Sequence, residues 1–322
     1  LALNSDNSQQ YRGITKANGF TSNGVDEYFL DYASGTPFGD ILKLDNELLE
    51  EAYLNIGADI GFAAQQAFLG YYGGVLDPSE LNNNAISSYV SNAYYSQVSQ
   101  QIQLDNRGKN SKFIATAAAQ YQDFLFLGAG IEFQSLSFQR QSNLTEGSYD
   151  ADSPLSYLFF DNFLETTGEA AALSVGGIAK LGHSLRLGLS YKSPTWYTLL
   201  EKTHQQLETN LEDVDLQFID KNIINVFEEY QMTIPSVVTA SAAIVIGKRG
   251  LISADYSSQD FSKARFRPAA DAFFGQLNTA ANSQLETVNN LRIGGEFNLG
   301  RLALRAGYNN SNSPFKNNNT QS

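Results

Sequence analysis

The segment Leu185-Arg186-Leu187-Gly188-Leu189-Ser190-Tyr191-Lys192 alternates strictly: every odd position is apolar or aromatic, and every even one is charged, hydroxyl or glycine. The pattern returns as Leu291-Arg292-Ile293-Gly294-Gly295-Glu296-Phe297-Asn298, turns at Gly300-Arg301, and resumes as Leu302-Ala303-Leu304-Arg305-Ala306-Gly307-Tyr308. Successive side chains of a strand point to opposite faces, so each segment has one greasy face and one wet face. A wet face mixing full charges with glycine is unusual for the outside of a soluble sandwich and usual for the interior of a membrane barrel.

Composition leaves two classes standing. Charged residues are only 17% and aromatics 12%, which suits an outer-membrane β-protein with aromatic girdles but also an acidic soluble all-β chain. The net charge of -13, with no basic run, argues against a nucleic-acid partner, because a phosphate backbone requires a basic surface. There is no cysteine, so a disulfide framework, a thiolate nucleophile and a Cys-ligated metal are excluded. The longest apolar stretch, Ile60 to Leu76, is interrupted by Gln65, Gln66 and several glycines, so no helix is expected to span a membrane. The opening Leu1-Ala2-Leu3-Asn4 has no charged n-region or apolar h-region, and the chain is expected to be a mature form or a fragment.

Read along its length, the chain begins with an Asn/Ser/Gly/Thr-rich region over 1–35, expected to be loop or hairpin. A helical insertion is expected over 40–74. Asp40 would cap a helix carrying Ile41, Leu44, Leu48 and Ala52, and a second would carry Ile60, Ala64, Ala67 and Tyr71 up to Gly73-Gly74. Period-two segments follow within 88–106, on either side of Gln122-Asp123, across Gly182-His183-Ser184, across Gly247-Lys248-Arg249-Gly250, and across 299–301. Residues 141–168 read as a polar loop with an apolar island at 155–164, and 201–230 and 264–288 read as long loops. Tight turns thus alternate with connections of roughly twenty residues or more. Short turns on one side and long loops on the other characterise outer-membrane barrels. The fold expected is all-β: a transmembrane antiparallel up-and-down β-barrel of about 9–11 strands with a helical insertion near the N-terminus.

At this level the chain resembles the outer-membrane transport proteins of the FadL/TodX type, which take up long-chain fatty acids and aromatic hydrocarbons. The stretches that carry the resemblance are Leu185 to Pro194, the strand from Pro235 to Ile246 with the Leu251-to-Phe261 strand after it, and the hairpin from Leu291 to Tyr308. They are similar to the family's LRLG-x-S-Y-x-SP strand, its Pro-led strand followed by a D-Y strand, and its late LR-x-G-x-E … L-x-LR-x-GY hairpin. Two features depart from it. The family's N-terminal hatch carries an Asn-Pro-Ala element, absent here, and its barrels close on an aromatic-ended strand, whereas this chain ends Asn317-Asn318-Asn319-Thr320-Gln321-Ser322. The resemblance therefore implies a partial barrel, with both ends and several of fourteen strands missing. It implies passive transport of a hydrophobic small molecule, a fatty acid or hydrocarbon, by a monomer in contact with outer-membrane lipid of a Gram-negative bacterium. Some relatives are labelled hemin receptors, but two loop histidines and the single Met232 offer little for axial haem ligation.

No catalytic constellation emerges: His183 sits in a tight turn, His204 in the acidic segment, and nothing marks either as a member of a triad. No His/Asp/Glu group has metal spacing, and no cofactor is expected. Glu132, Lys180, Arg186, Lys192, Arg292, Glu296 and Arg305 all fall on the wet face. On the lipid face each Arg or Lys would cost about 2–4 kcal/mol at the midplane, so these residues belong to the lumen. They either form a salt-bridged network that stiffens a barrel or, in part, receive a ligand carboxylate. Phe62, Phe68, Leu69, Tyr71 and Tyr72 make an aromatic-apolar cluster that either packs the helices on the barrel or offers a ligand surface. Trp196 and Tyr197, after Pro194, read as an interfacial girdle. Two other functions remain open: a barrel that partners a secretion system without transporting, and a soluble β-rich binding protein.

Overall fold

The structure, a computed structural model, describes residues 2–211, 214–218, 223–247, 249–300 and 302–316. Lys248 and Arg301 of the expected turns, the C-terminal Asn317 to Ser322 and part of the acidic segment lie outside the described residues.

The elements run β1 (Ala2–Thr21), α1 (Val25–Ala33), a 3-10 turn (Phe38–Ile41), α2 (Leu49–Asp59), α3 (Phe62–Tyr72), and a small hairpin of β2 (Leu76–Pro78) and β3 (Tyr89–Ser91). There follow β4 (Val98–Tyr121), β5 (Leu125–Gly147), β6 (Leu155–Leu181), β7 (Leu185–Lys192), β8 (Thr195–Leu211), β9 (Val214–Phe218) and β10 (Asn225–Val226). The chain continues through β11 (Tyr230–Ile234), β12 (Val237–Ile246), β13 (Gly250–Asp260), β14 (Arg265–Arg267), α4 (Ala272–Gln284), β15 (Thr287–Asn298) and β16 (Ala303–Ser311).

The main sheet is antiparallel throughout, in the order β1-β4-β5-β6-β7-β12-β13-β15-β16. Strands β7 and β8 both pair with β6, one with each half, and β11 and β12 in turn pair with β8 and β7. The wall therefore has nine positions, two of them filled by strands interrupted at Pro194 and Pro235. It is an up-and-down arrangement and an unclosed, partial barrel, with β1 and β16 as its edges. Among the described residues no helix is long and apolar enough to cross a membrane.

The register explains where the greasy face goes. On β5, Leu125, Leu127, Ala129, Ile131 and Phe133 lie on one face, opposite Tyr121, Ala119, Ala117, Ala115 and Phe113 of β4. The same face continues through Leu173, Val175 and Ala179 of β6 and Leu185, Leu187, Leu189 and Tyr191 of β7. It goes on through Ala240, Ala242 and Ile244 of β12, Ile252, Ala254 and Tyr256 of β13, Leu291 and Ile293 of β15, and Tyr308 of β16. No charge interrupts these rows, and Leu127, Leu173, Leu189, Ile244 and Ile293 are all exposed. We call this the outer face. Its span on β5, from Leu125 to Phe133, matches the nine to eleven residues a tilted strand needs to cross hydrocarbon.

Above this belt, toward the long connections, the polarity inverts within the same strands. The outer positions of β4 become Arg107 and Asp105, and those of β6 become Glu169 and Glu165. The apolar residues move to the inner face: Leu144 on β5, Leu158 and Phe160 on β6, Leu207 on β8. Against them the helical insertion builds its core from Phe29, Ile41, Tyr53, Phe68, Leu69 and Leu76. A buried polar latch fastens it further. Tyr53 donates to Gln205 Oε1 at 2.6 Å, the Gln66 and Gln205 amides exchange hydrogen bonds at 2.9 and 3.0 Å, and Tyr28 donates to Gln66 Oε1 at 3.0 Å. Burial pushes the Tyr28 and Tyr53 phenols well above their ordinary range.

Several expectations are corrected. Residues 1–35 hold β1 and α1 instead of loop, and the insertion starts at Val25; Ile41 closes a 3-10 turn and α2 begins only at Leu49. Residues 141–168 belong to β5 and β6 apart from a connection over 148–154. The first part of 201–230 is the upper half of β8, and 264–288 contains β14 and α4. Over 141–168 and 201–211 the reason is that β5, β6 and β8 continue past the belt, where the period-two hydrophobic signal changes phase.

Candidate functional site

The inner face between belt and insertion carries a second apolar cluster, organised by the two proline breaks. Proline has no N–H to give a ladder. At Pro194 the preceding residue compensates: the Leu173 N–H donates to Ser193 Oγ, and the Ser193 N–H donates to the Leu173 carbonyl, both at 2.8 Å. At Pro235 the carbonyl accepts from Gln259 Nε2 at 2.8 Å. With the strands restarted, the register aligns Ala170, Tyr197, Met232 and Phe266 across β6, β8, β11 and β14. The next row up holds Leu136, Gly168, Leu199 and Tyr230. Ala170, Tyr197 and Leu199 are buried, while Leu136, Tyr230, Met232 and Ile234 are partly buried around them.

Helix α4 completes this cluster. Asp271 caps it, accepting from the Phe273 and Phe274 N–H groups at 2.8 and 3.1 Å. The Asn278 side chain clamps it to β14, with its Oδ1 accepting from the Phe266 N–H at 2.7 Å and its Nδ2 donating to the Phe266 carbonyl at 3.0 Å. Phe274 is thereby held 5.1 Å from the Tyr230 ring and 6.0 Å from Phe266.

Directly beneath lies a polar chain. The buried Tyr197 hydroxyl donates to Gln134 Oε1 at 2.8 Å, and Gln134 Nε2 donates to Glu132 Oε1. Glu132 in turn meets Lys192 Nζ at 2.8 Å and Lys112 Nζ at 3.6 Å. Farther down, the inner face is made of small residues, among them Gly130, Ser174, Gly176, Ser190 and Ser241, which border a hollow of about 470 Å³ with Phe126 and Ile178 at its lower rim. An apolar patch, a charged rung and an open small-residue wall thus succeed one another along one face. Such a face can hold an apolar solute at its upper end and leave it room below.

The register places Glu132, Lys180, Arg186, Lys192, Arg292, Glu296 and Arg305 on this inner face, in separate groups instead of one network. Lys180 stands directly opposite Arg186, with its Nζ 4.4 Å above the Phe126 ring. Arg292 stands opposite Asp255, and Arg305 Nε donates to Glu296 at 2.7 Å. Like charges opposed across a ladder repel, so Lys180 and Arg186 do not stiffen the wall by pairing with each other.

Of the five aromatic and apolar residues of α3, Phe68 and Leu69 are fully buried in the insertion's core and present no surface to a ligand. Phe62 is the exposed one, 5.4 Å from the Tyr32 ring. Tyr71 and Tyr72 are half-buried, and the Tyr72 hydroxyl accepts from the Lys43 N–H at 3.1 Å. Trp196 lies exposed on the outer face in the row of Ala171, which also holds Phe133 and Phe113, as a girdle residue would. Tyr197 is its strand neighbour and must face inward, so it does not share that role. His204 stacks on Phe163 with ring centroids 4.6 Å apart, far from the turn that holds His183. Sequence reading missed Leu136, Tyr230, Met232, Phe266 and Phe274 as a group. The signal available was the phase change of the apolar residues on β5, from odd positions up to Phe133 to even ones at Leu136 and Phe138.

No protein-family model and no curated protein sequence matches the chain. Among solved structures it is similar to the toluene transporter TbuX of Ralstonia pickettii, with 13% identity over 68% of this chain and 67% of that one and a TM-score of 0.41. It is also similar to the toluene transporter TodX of Pseudomonas putida, with 13% identity over 67% of this chain and 72% of that one and a TM-score of 0.31.

Proposed function

We propose that the chain forms the wall of an outer-membrane barrel that lets small hydrophobic molecules pass without an energy source. The observation that carries this reading is the division of labour between the two faces. The outer face is uninterruptedly apolar over a membrane-spanning length, and the inner face sets an apolar cluster above a charged rung. The short turns at 122–124 and 182–184 and the long connections at the other end give the wall the polarity of an outer-membrane protein, with the insertion and α4 outside.

In this mechanism a solute arriving from the long-loop side leaves water for the surface made by Leu136, Tyr230, Met232, Ile234, Phe266 and Phe274. Burial of apolar area supplies the affinity, roughly 25 cal/mol per Å². Below it the solute passes the ion-paired Glu132 and enters the hollow lined by Gly130, Gly176 and Ser190. A Tyr230→Ala/Phe266→Ala double variant removes two rings from the cluster. It is expected to lower saturable uptake of a hydrocarbon or fatty acid into vesicles containing the protein, while the amount of folded protein stays the same. Uptake equal to that of empty vesicles for the unaltered protein, across both solute types, would sink the transport reading.

A further inference from the structure

Outside the belt, the outer face carries a small basic group that transport does not use. Arg107 and Lys109 project from β4 two residues apart, on the face that also holds Phe113, and Arg12 of β1 stands directly opposite Arg107. All three are exposed. One carboxylate serves the two arginines: Asp105 accepts from Arg12 at 2.7 Å and from Arg107 at 2.9 Å. The two guanidinium groups hold the Asp105 carboxyl far below its ordinary range, with Arg12 the larger influence. The acid next along the row of Arg107 is Glu165, and it is occupied by Gln139 Nε2 at 2.8 Å. The remaining neighbours Gln10, Ser137 and Gln139 are neutral hydrogen-bonding groups around the same shallow depression. On a chain of net charge -13, Arg12, Arg107 and Lys109 stand over one acid, a local excess of positive charge among the described residues.

Position says what balances it. Phe113 and Phe133 mark the upper edge of the belt. Lys109 lies four residues above Phe113, about 13 Å along the strand and so roughly 9 Å along the membrane normal at the usual tilt, which is the depth of lipid headgroups. Long basic side chains there extend toward the interface. We propose that Arg12, Arg107 and Lys109 form a docking site for the phosphate of an outer-leaflet glycolipid headgroup, with Gln10 and Gln139 as hydrogen-bonding neighbours. Guanidinium groups suit phosphate because their forked donors match its oxygens, and a phosphate would add a second anion where Asp105 alone now faces Arg12 and Arg107. The site would fasten edge strand β1 to the lipid at the level where its partner leaves the hydrocarbon.

This inference rests on the membrane reading above, and the experiment separates the two. The full chain is folded into phosphatidylcholine bilayer discs, and binding of a bisphosphorylated lipid A glycolipid is compared with the same glycolipid stripped of its phosphates. The phosphorylated lipid is expected to bind at least ten-fold tighter and to weaken as salt is raised. Arg12→Gln, Arg107→Gln and Lys109→Gln should each lower its binding about five-fold, and the triple variant roughly a hundred-fold. Lys263→Gln, on an exposed lysine elsewhere, should leave it unchanged. Equal binding of the two glycolipids by inserted protein overturns the docking site alone. A chain that never enters the discs overturns the membrane reading and the site with it. If a variant fails to insert, the phosphate comparison on the unaltered chain still decides.

Discussion

The lower and upper halves of β4, β5 and β6 are the same three strands read in opposite senses. In the lower half the outer face is Phe113 to Tyr121, Leu125 to Phe133 and Ala171 to Leu181 at alternate positions, and the inner face is mostly small or polar, with Ile114, Phe126 and Ile178 among it. In the upper half the outer face carries Arg107, Asp105, Glu165 and Glu169, and the inner face carries Leu144, Leu158 and Phe160 under the helical insertion. The pairing from β4 to β6 runs through the change with no shift of register, so the inversion is written in side chains and not in backbone. Each half turns its apolar face to one side: outward below, where the proposed membrane would meet it, and inward onto protein above. A strand can therefore report the boundary of its solvent through the phase of its own alternation.

The sharpest way to break this comparison is to put the wrong polarity on the lower outer face. Leu187→Arg places a charge among Ala179 and Ala242, at roughly 2–4 kcal/mol, and is expected to abolish membrane assembly. Arg186→Leu, on the inner face one residue away, should assemble normally; detergent-extracted protein and heat-dependent gel mobility would read both. An inverted outcome would mean the faces have been assigned the wrong way round. In the upper half the corresponding cut is Leu207→Ala. It removes a fully buried contact between β8 and the insertion at a cost of about 3 kcal/mol. Limited proteolysis should then cleave within 25–72 while the belt strands stay protected. Simultaneous loss of both would show that the halves do not stand independently.

A smaller effect is expected from Gln205→Leu, which strands the Tyr53 hydroxyl and the Gln66 amide in a buried site at about 1–3 kcal/mol. Chemical denaturation followed at the insertion should detect it, and Gln205→Glu should not rescue it. The smallest is a pH effect at the foot of α1. Glu146 Oε2 accepts from the Val25 N–H at 2.8 Å, and burial is the main influence holding this carboxyl above its ordinary range. A raised folded value means the folded state binds the proton more tightly. The insertion should thus be held best below the ordinary carboxylate range and loosen as pH climbs through the raised value. Glu146→Gln should flatten that dependence in hydrogen exchange at Val25; an unchanged profile would exclude Glu146 as its source.

How much of this was legible follows from the same inversion. The belt segments were readable because a lipid-facing strand needs an apolar residue at every second place, as Leu185 to Lys192 has. The turns were readable for local reasons, such as the left-handed backbone that Gly182 adopts with φ 66°. The upper halves were not. Above the belt β5 reads Ser135-Leu136-Ser137-Phe138-Gln139-Arg140, with apolar residues on the opposite parity, and β1 sets its few large apolar residues, among them Tyr11, Ile14 and Phe20, on no fixed parity. Within the candidate site, Glu132 and Lys192 were visible as charges on the wet face. Their link through Gln134 to Tyr197 was not, since it depends on a register between strands some sixty residues apart. Tyr230, Phe266 and Phe274 meet only because Asn278 fastens α4 onto β14.

By itself the sequence determined the all-β class, the belt, its two faces and the short-turn side, because each follows from period two and from what a charge costs in lipid. The tertiary structure alone decided that two proline-broken strands each share one partner, that Phe68 and Leu69 close a core instead of lining a surface, and that Trp196 and Tyr197 look in opposite directions. Those outcomes depend on which strand lies beside which. Pairing across long connections is chosen by the summed fit of whole faces, a quantity that no local stretch of residues contains.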